Sequence, residues 1–297
     1  MTDYKKARDQ ALELDEELRD LPQEVRNVLH PVRLTGKEHF QFRCHSGIEC
    51  FNACCRNIEI ILTPYDLIRI RRRLDMDVES FLNQYATPFT LTKGQLPVPL
   101  IRMDAQSGQC PFNGPEGCSI YSDRPVACRY YPIGMALMHK QQSEGEKSQD
   151  DDEFYFLIKE DFCHGHRETK DWSIAEWRRD QGSDGYDVQN RGWMEFILKR
   201  RSAGDTVATG LQLSEYFYMA STNPDVFRRF VFDSSFLKRF HVDEETERLI
   251  RTDDLALTDF AFAWLKSVLF GDKEVQVRPD AFVELKGRRA KKKEDER

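Results

Sequence analysis

The chain has 297 residues, 40% of them hydrophobic and 32% charged, with a formal net charge of −7. That is ample apolar material for a packed core, so a metal is not needed merely to rescue a short chain. The acidic balance argues against a general nucleic-acid binder, whose footprint would be basic, and no run approaches the roughly 18 apolar residues of a membrane span.

Residues 3–20 pattern as a charged amphipathic helix, with Ala11, Leu12, Leu14 and Leu18 set among acids and bases. The start lacks the apolar stretch and small-residue cleavage site of a secretory leader, which points to the cytoplasm. Further on, Ile58–Leu62 alternates and is β-rich, the pattern of a strand. Thr63, Pro64 and Asp66 then supply a cap, a first-turn proline and an acid at the positive end of a helix reaching Leu74. A second short helix covers Val78–Tyr85. Residues 96–103 form an edge strand, because Pro97 and Pro99 bar a central one.

Two strand-like runs, 133–138 and 154–159, flank the acidic segment 141–153, which reads as a solvated loop. Asp150, Asp151 and Asp152 within it do not match the spacing of an EF-hand calcium loop. Ser173 and Glu176 fit a capping box opening a helix with Trp177. Helical patterns follow over 186–201, 214–220, 225–230 and 244–270, the last stopped by Gly271. The expected fold class is α+β, with a small irregular metal-nucleated core and a few short strands, followed by a mainly helical C-terminal region. The expected domains are 1–36 (helix and linker), 37–170 (cysteine cluster), 171–280 (helical region packed on it) and 281–297 (basic tail).

Seven of the eight cysteines fall between residues 44 and 128, and the eighth is Cys163. Cys44, Cys50, Cys54 and Cys55 form one group; Cys110, Cys118 and Cys128 form a second. Cysteines used as small core residues would not bunch in this way, and thiolates are soft donors suited to zinc or iron–sulfur clusters. All eight are therefore candidate metal ligands. A disulfide framework needs an oxidising compartment, and adjacent Cys54 and Cys55 could pair only through a strained ring.

The chain has no CxxC knuckle, which disfavours a four-sulfur zinc ribbon and leaves zinc in another arrangement open. Cys50-x3-Cys54 starts a radical-SAM pattern, but Asn57 stands where its third cysteine belongs. Iron–sulfur clusters tolerate wide ligand spacing. In extended chain, neighbouring side chains face opposite ways, so Cys54 and Cys55 would serve different corners or different metals unless one packs inward.

Arg43, Arg56, Arg124 and Arg129 lie close to the cysteines in sequence. Guanidinium groups there would offset thiolate charge, so these four are the candidate cofactor-binding residues. His45, His164 and His166 adjoin Cys44 and Cys163 and are alternative ligands.

These motifs resemble the YkgJ-type cysteine-cluster family of zinc- or iron-chelating proteins, which carry a CxxCxxCC signature. The resemblance rests on the first four cysteines, then on Cys110-Pro-Phe, Cys118-Ser-Ile-Tyr, Arg124-Pro-Val-Ala-Cys128-Arg129 and Tyr131-Pro132, and covers about residues 40–170. The first two gaps, of five and three residues, depart from the signature. The resemblance implies a metal-binding protein holding an iron–sulfur cluster, or a zinc or iron ion. Electron transfer with a protein redox or substrate partner is the role expected, with no membrane or nucleic acid. The alternative is an enzyme: flagellin lysine N-methylases carry a similar cysteine cluster, which makes methyl transfer to a protein lysine a candidate. Against that reading, no glycine-rich nucleotide-binding turn and no Ser/His/Asp set is recognisable.

Overall fold

The computed structural model describes residues 29–34, 37–91, 96–138, 152–203 and 211–279. The expected helix over 3–20, all but the end of the acidic loop 141–153, and the tail 281–297 lie outside the described residues. The fold is the expected mixture of helices and short antiparallel strands, with helices prevailing toward the C-terminus. No helix among the described residues is long and apolar enough to cross a membrane.

Contacts divide the chain into two units. One takes residues up to Ile60 together with Ile101–Asp187; the other takes Ile61–Leu100 and the chain from Val188 onward. The expected boundaries at 37, 170 and 280 run contiguously, whereas residues 61–100 group with the C-terminal helices and 171–187 with the cysteines. Local physics explains the first difference. Thr63 and Asp66 form a full capping box at the head of the Pro64–Leu74 helix, and Asp77 caps the helix Val78–Tyr85. Their apolar faces need cover. Pro64, Leu67, Ile68, Val78 and Phe81 meet Ala220, Pro224 and Thr258 around a small cavity.

The helical unit is built on an aromatic core. Phe196 lies 5.2 Å from Phe217 and 6.1 Å from Phe262, ring centre to ring centre, and each of the three is almost wholly buried. Each such burial contributes roughly 1.5–3 kcal/mol. The expected helix over 244–270 is two, Glu244–Ile250 and Asp254–Phe270. Asp253 interrupts it by accepting from the Leu255 and Ala256 amides at 2.7 and 3.2 Å, which makes it an N-cap. Gly271 ends the second helix at φ 76°, as expected of a left-handed stop. Residues 58–62 are extended but not a strand: Ile61 makes one isolated antiparallel bridge, to Leu100. The strand Leu96–Ile101 pairs with Ala86–Leu91, each an edge, as the prolines require.

The cysteine-bearing unit has a three-stranded antiparallel sheet in the order Leu29–Leu34, Asp152–Ile158, Ile133–Met138. A smaller pair joins His39–Gln41 to Asp171–Ser173. Ser173 and Glu176 form the expected capping box of the helix Ile174–Gln181. That helix delivers Trp177 to a core with Phe40, Phe42, Tyr130, Ile133, Tyr155 and Ile174. Trp177 also donates its indole N–H to the Tyr130 carbonyl at 3.1 Å, so this core is fastened by polar as well as apolar contacts.

Candidate metal centre

The pairing of His39–Gln41 with Asp171–Ser173 continues past its last residues, and this places the first thiols. The Phe42 amide donates to the Lys170 carbonyl at 2.9 Å, and the Arg43 amide to the Gly165 carbonyl at 3.1 Å. Cys44 is thereby set beside the turn that follows Cys163. The approach is close because residue 165 has no side chain. A Cβ there would stand 2.6 Å from the Phe42 ring and 3.2 Å from the Arg43 carbonyl oxygen.

From Cys44 the chain winds through successive turns, Ile48 to His45, Phe51 to Ile48 and Ala53 to Cys50, each closed by an amide-to-carbonyl bond. Residues 53–55 form a 3-10 turn, so the doublet does not lie in extended chain and the alternation expected for Cys54 and Cys55 does not apply. Their thiols hydrogen-bond to one another, and this, then burial, raises the Cys54 pKa far above the ordinary thiol value. The backbone next turns at Asn57, whose φ is 53°. Its amide donates to Gly108 at 2.8 Å, Arg56 bridges Gln109, and the Cys110 amide donates to the Cys55 carbonyl at 2.9 Å. Gly108 sits at φ 69°, and a Cβ there would strike the Asn57 side chain at 1.8 Å. This joint brings the second cysteine segment against the first.

Two neighbourhoods of thiols result. Cys44 is the exposed member of the first. Partial burial, then the thiols of Cys54, Cys163 and Cys50, push its pKa up to about 11. Cys163 is raised by burial, and its sulfur also feels Cys50 and Cys54. In the second neighbourhood, burial raises Cys110 and Cys118, and the Cys118 charge adds to the rise at Cys110. Cys128 rides on the short helix Val126–Tyr130. All eight cysteines are free thiols. Among the described residues, no three His, Cys, Asp or Glu side chains are gathered tightly enough to hold a single metal ion.

Several sulfurs are met by backbone N–H groups. His164 donates its amide to the Cys50 sulfur at 3.1 Å. Cys110 accepts from the amides of Phe112 and Asn113, Cys118 from Ile120, and Cys163 from Gly165, each bond drawing the thiol pKa down against burial. Tyr131 and Glu160, which sequence reading did not single out as site residues, complete the surroundings of Cys163. The Tyr131 hydroxyl donates to Glu160 at 2.9 Å and hydrogen-bonds the Cys163 thiol. Tyr131-Pro132 lay within the recognised motif, but nothing in the sequence distinguished Glu160 from other acids.

The four arginines separate. Arg124 is buried, lies over the Tyr121 ring at 3.9 Å and donates to the Tyr121 carbonyl at 2.6 Å. Its charge reaches Cys118 and Cys128. Arg129 is buried too, but its guanidinium donates to the carbonyls of Arg124, Ser122 and Gln181 and to the Tyr186 hydroxyl. That makes it a brace for the loop carrying Cys118 and Cys128. Arg43 and Arg56 are exposed.

The histidines are engaged away from the thiols. His45 and His164 face Glu168 and Glu49, each at 3.7 Å. His166 Nε2 meets the Ile158 carbonyl at 2.9 Å, and its ring packs on Phe42.

No curated protein and no solved structure matches the chain. Residues 43–164, which hold all eight cysteines, match the CxxCxxCC family model, described as "Putative zinc- or iron-chelating domain", the resemblance that their motifs led one to expect.

Proposed function

We propose that the cysteine-bearing unit holds an iron–sulfur centre and exchanges electrons with a protein partner in the cytoplasm, with zinc or a lone iron ion as the alternative occupant. The observation that carries this reading is the set of backbone N–H groups directed at the sulfurs of Cys50, Cys110, Cys118 and Cys163. An N–H donated to sulfur stabilises the thiolate over the thiol. Hydrogen bonds to sulfur are also among the features that set the potential of an iron–sulfur centre. Ligand spacing supports the same preference, since a cluster spans several ångströms and collects thiolates from farther apart than one tetrahedral ion can. When bound, such a group supplies one-electron chemistry. This chain's residues would contribute the thiolates, the amide dipoles and the Arg124 charge that offsets them. Free thiols in this number also call for a reducing compartment.

Anaerobic purification followed by iron, zinc and acid-labile sulfide analysis tests the proposal. The expected protein is brown, holds iron and sulfide in matching amounts, and bleaches with dithionite. Colourless protein holding zinc and no sulfide would replace the iron–sulfur reading with zinc chelation. A centre that dithionite cannot reduce would remove the electron-transfer role.

A further inference from the structure

Cys54 and Cys55 stand on a short 3-10 turn, Ala53–Cys55, whose backbone is held on both flanks. Asn52 opens the turn at φ 66°, and its carbonyl accepts from the Cys55 amide at 3.1 Å. The Asn52 side chain donates to the Gly114 carbonyl at 3.2 Å, and the Cys55 carbonyl accepts from the Cys110 amide at 2.9 Å. Just beyond, the Asn57 amide donates to the Gly108 carbonyl at 2.8 Å. The fixed turn leaves both thiols half-buried and free, in hydrogen-bond contact with each other, between exposed Ala53 and exposed Arg56. Consecutive Cα atoms lie ~3.8 Å apart, short of the ~4.4–6.8 Å that a disulfide prefers, so a direct bond between the two is strained. Among the described residues, no third His, Cys, Asp or Glu side chain joins the pair tightly enough to complete a metal-ion site. The doublet by itself is a two-sulfur chelate.

We propose that the Cys54–Cys55 pair is a preorganised dithiol site for monosubstituted trivalent arsenicals, R–As(OH)2. The geometry of the ligand decides this choice. A two-coordinate soft ion needs sulfurs on opposite sides of it, which neighbouring residues on one turn cannot supply. Zinc needs four donors around it. Trivalent arsenic is pyramidal and takes two sulfurs from the same side, and its third position is filled by the organic group. An arsenic atom between the sulfurs also enlarges the ring and so removes the strain of a direct disulfide. Each thiol passes its proton to a hydroxyl that leaves as water; two arsenic–oxygen bonds break and two arsenic–sulfur bonds form. Nothing is oxidised or reduced. Because the turn is already fixed, closing the bridge orders little new backbone, which favours binding. The site does not rest on the metal-chelating reading above.

The full chain, purified with a phosphine reductant, is titrated with phenylarsine oxide and weighed intact by mass spectrometry. The titration is run on the chain as purified and again after a chelator has stripped any metal. The first equivalent is expected to add one phenylarsenic bridge, mapped by proteolysis to the peptide that holds Cys54 and Cys55. Excess dithiol should reverse it, and the same concentration of a monothiol should not. Cys54→Ser and Cys55→Ser should each lose the bridge, while Cys110→Ser keeps it. Circular dichroism checks folding, and the wild-type peptide map locates the bridge whether or not a variant folds. A bridge on other cysteines, one kept in full by either doublet variant, or none before and after stripping would overturn the proposal. Equally tight binding by the urea-unfolded chain would overturn it too, since any adjacent pair would then serve. A chain that holds no zinc or iron and still forms the bridge keeps this site and sinks the metal reading. A metal-loaded chain that refuses the bridge even when stripped does the reverse.

Discussion

Gly165 shows how much of this site depends on a residue that carries no chemistry. Its missing side chain lets the segment after Cys163 lie against Phe42 and Arg43, which sets Cys44 and Cys163 in one neighbourhood. Gly165→Ala adds a methyl where there is no room, at a cost of about 1–3 kcal/mol. The variant is expected to melt lower than wild type and to bind less metal; an unchanged metal content would show that this approach does not position Cys44. Arg129 gives a second expectation at this scale. It is 6% exposed and braces three carbonyls and a phenol. Arg129→Ala leaves those acceptors buried without it and should lower stability by roughly 3 kcal/mol in a urea titration. The cysteines were legible from sequence because the residue type is the chemistry. Tyr131 and Glu160 were not, since a tyrosine and a glutamate announce nothing until folding sets one against the other beside a thiol.

At the scale of elements, the signals that could be read were those complete within a few residues. The capping box of Ser173 with Glu176 stands as the sequence implies, and the expected Thr63 cap is there too, completed into a box by Asp66. Ser173→Ala should cost about 1 kcal/mol, read as a small fall in melting temperature. An unchanged melt would mean that this helix end is held by other contacts. Where an element depends on a partner far along the chain, local pattern misleads. Residues 58–62 have strand composition but make only an isolated bridge, while His39–Gln41 and Asp171–Ser173, too short to be read as strands, pair in full. The run 244–270 has continuous helical pattern, yet Asp253 breaks it, because its carboxylate satisfies the amides of a new first turn.

At the scale of the whole molecule, Asp254 joins three helices of the C-terminal unit. It meets Arg71 at 2.9 Å, Arg72 at 3.3 Å and Arg228 at 2.7 Å. Burial acts to raise its pKa, but the Arg228 hydrogen bond and the charges of Arg71, Arg228 and Arg72 prevail and hold it below the ordinary carboxylate range. A depressed carboxylate stabilises the fold above its unfolded pKa, and that contribution is lost as the pH falls through the folded value. Wild type should therefore exceed Asp254→Asn by roughly 2 kcal/mol at neutral pH, a partly exposed site lying below the fully buried range. The gap should close as the pH is taken below the usual carboxylate value of about 4. A gap that does not change with pH would exclude the ion pairs as its source. Composition and spacing were enough to mark the cysteine segment that the zinc- or iron-chelating family model matches and a helical C-terminal part, because thiol chemistry and helical periodicity are properties of neighbouring residues. They could not show that residues 61–100 leave the cysteine segment for the helical unit, or which thiols become neighbours. Those outcomes are set by backbone hydrogen bonds between segments more than 120 residues apart, such as Arg43 to Gly165, and such pairings exist only once the chain has folded.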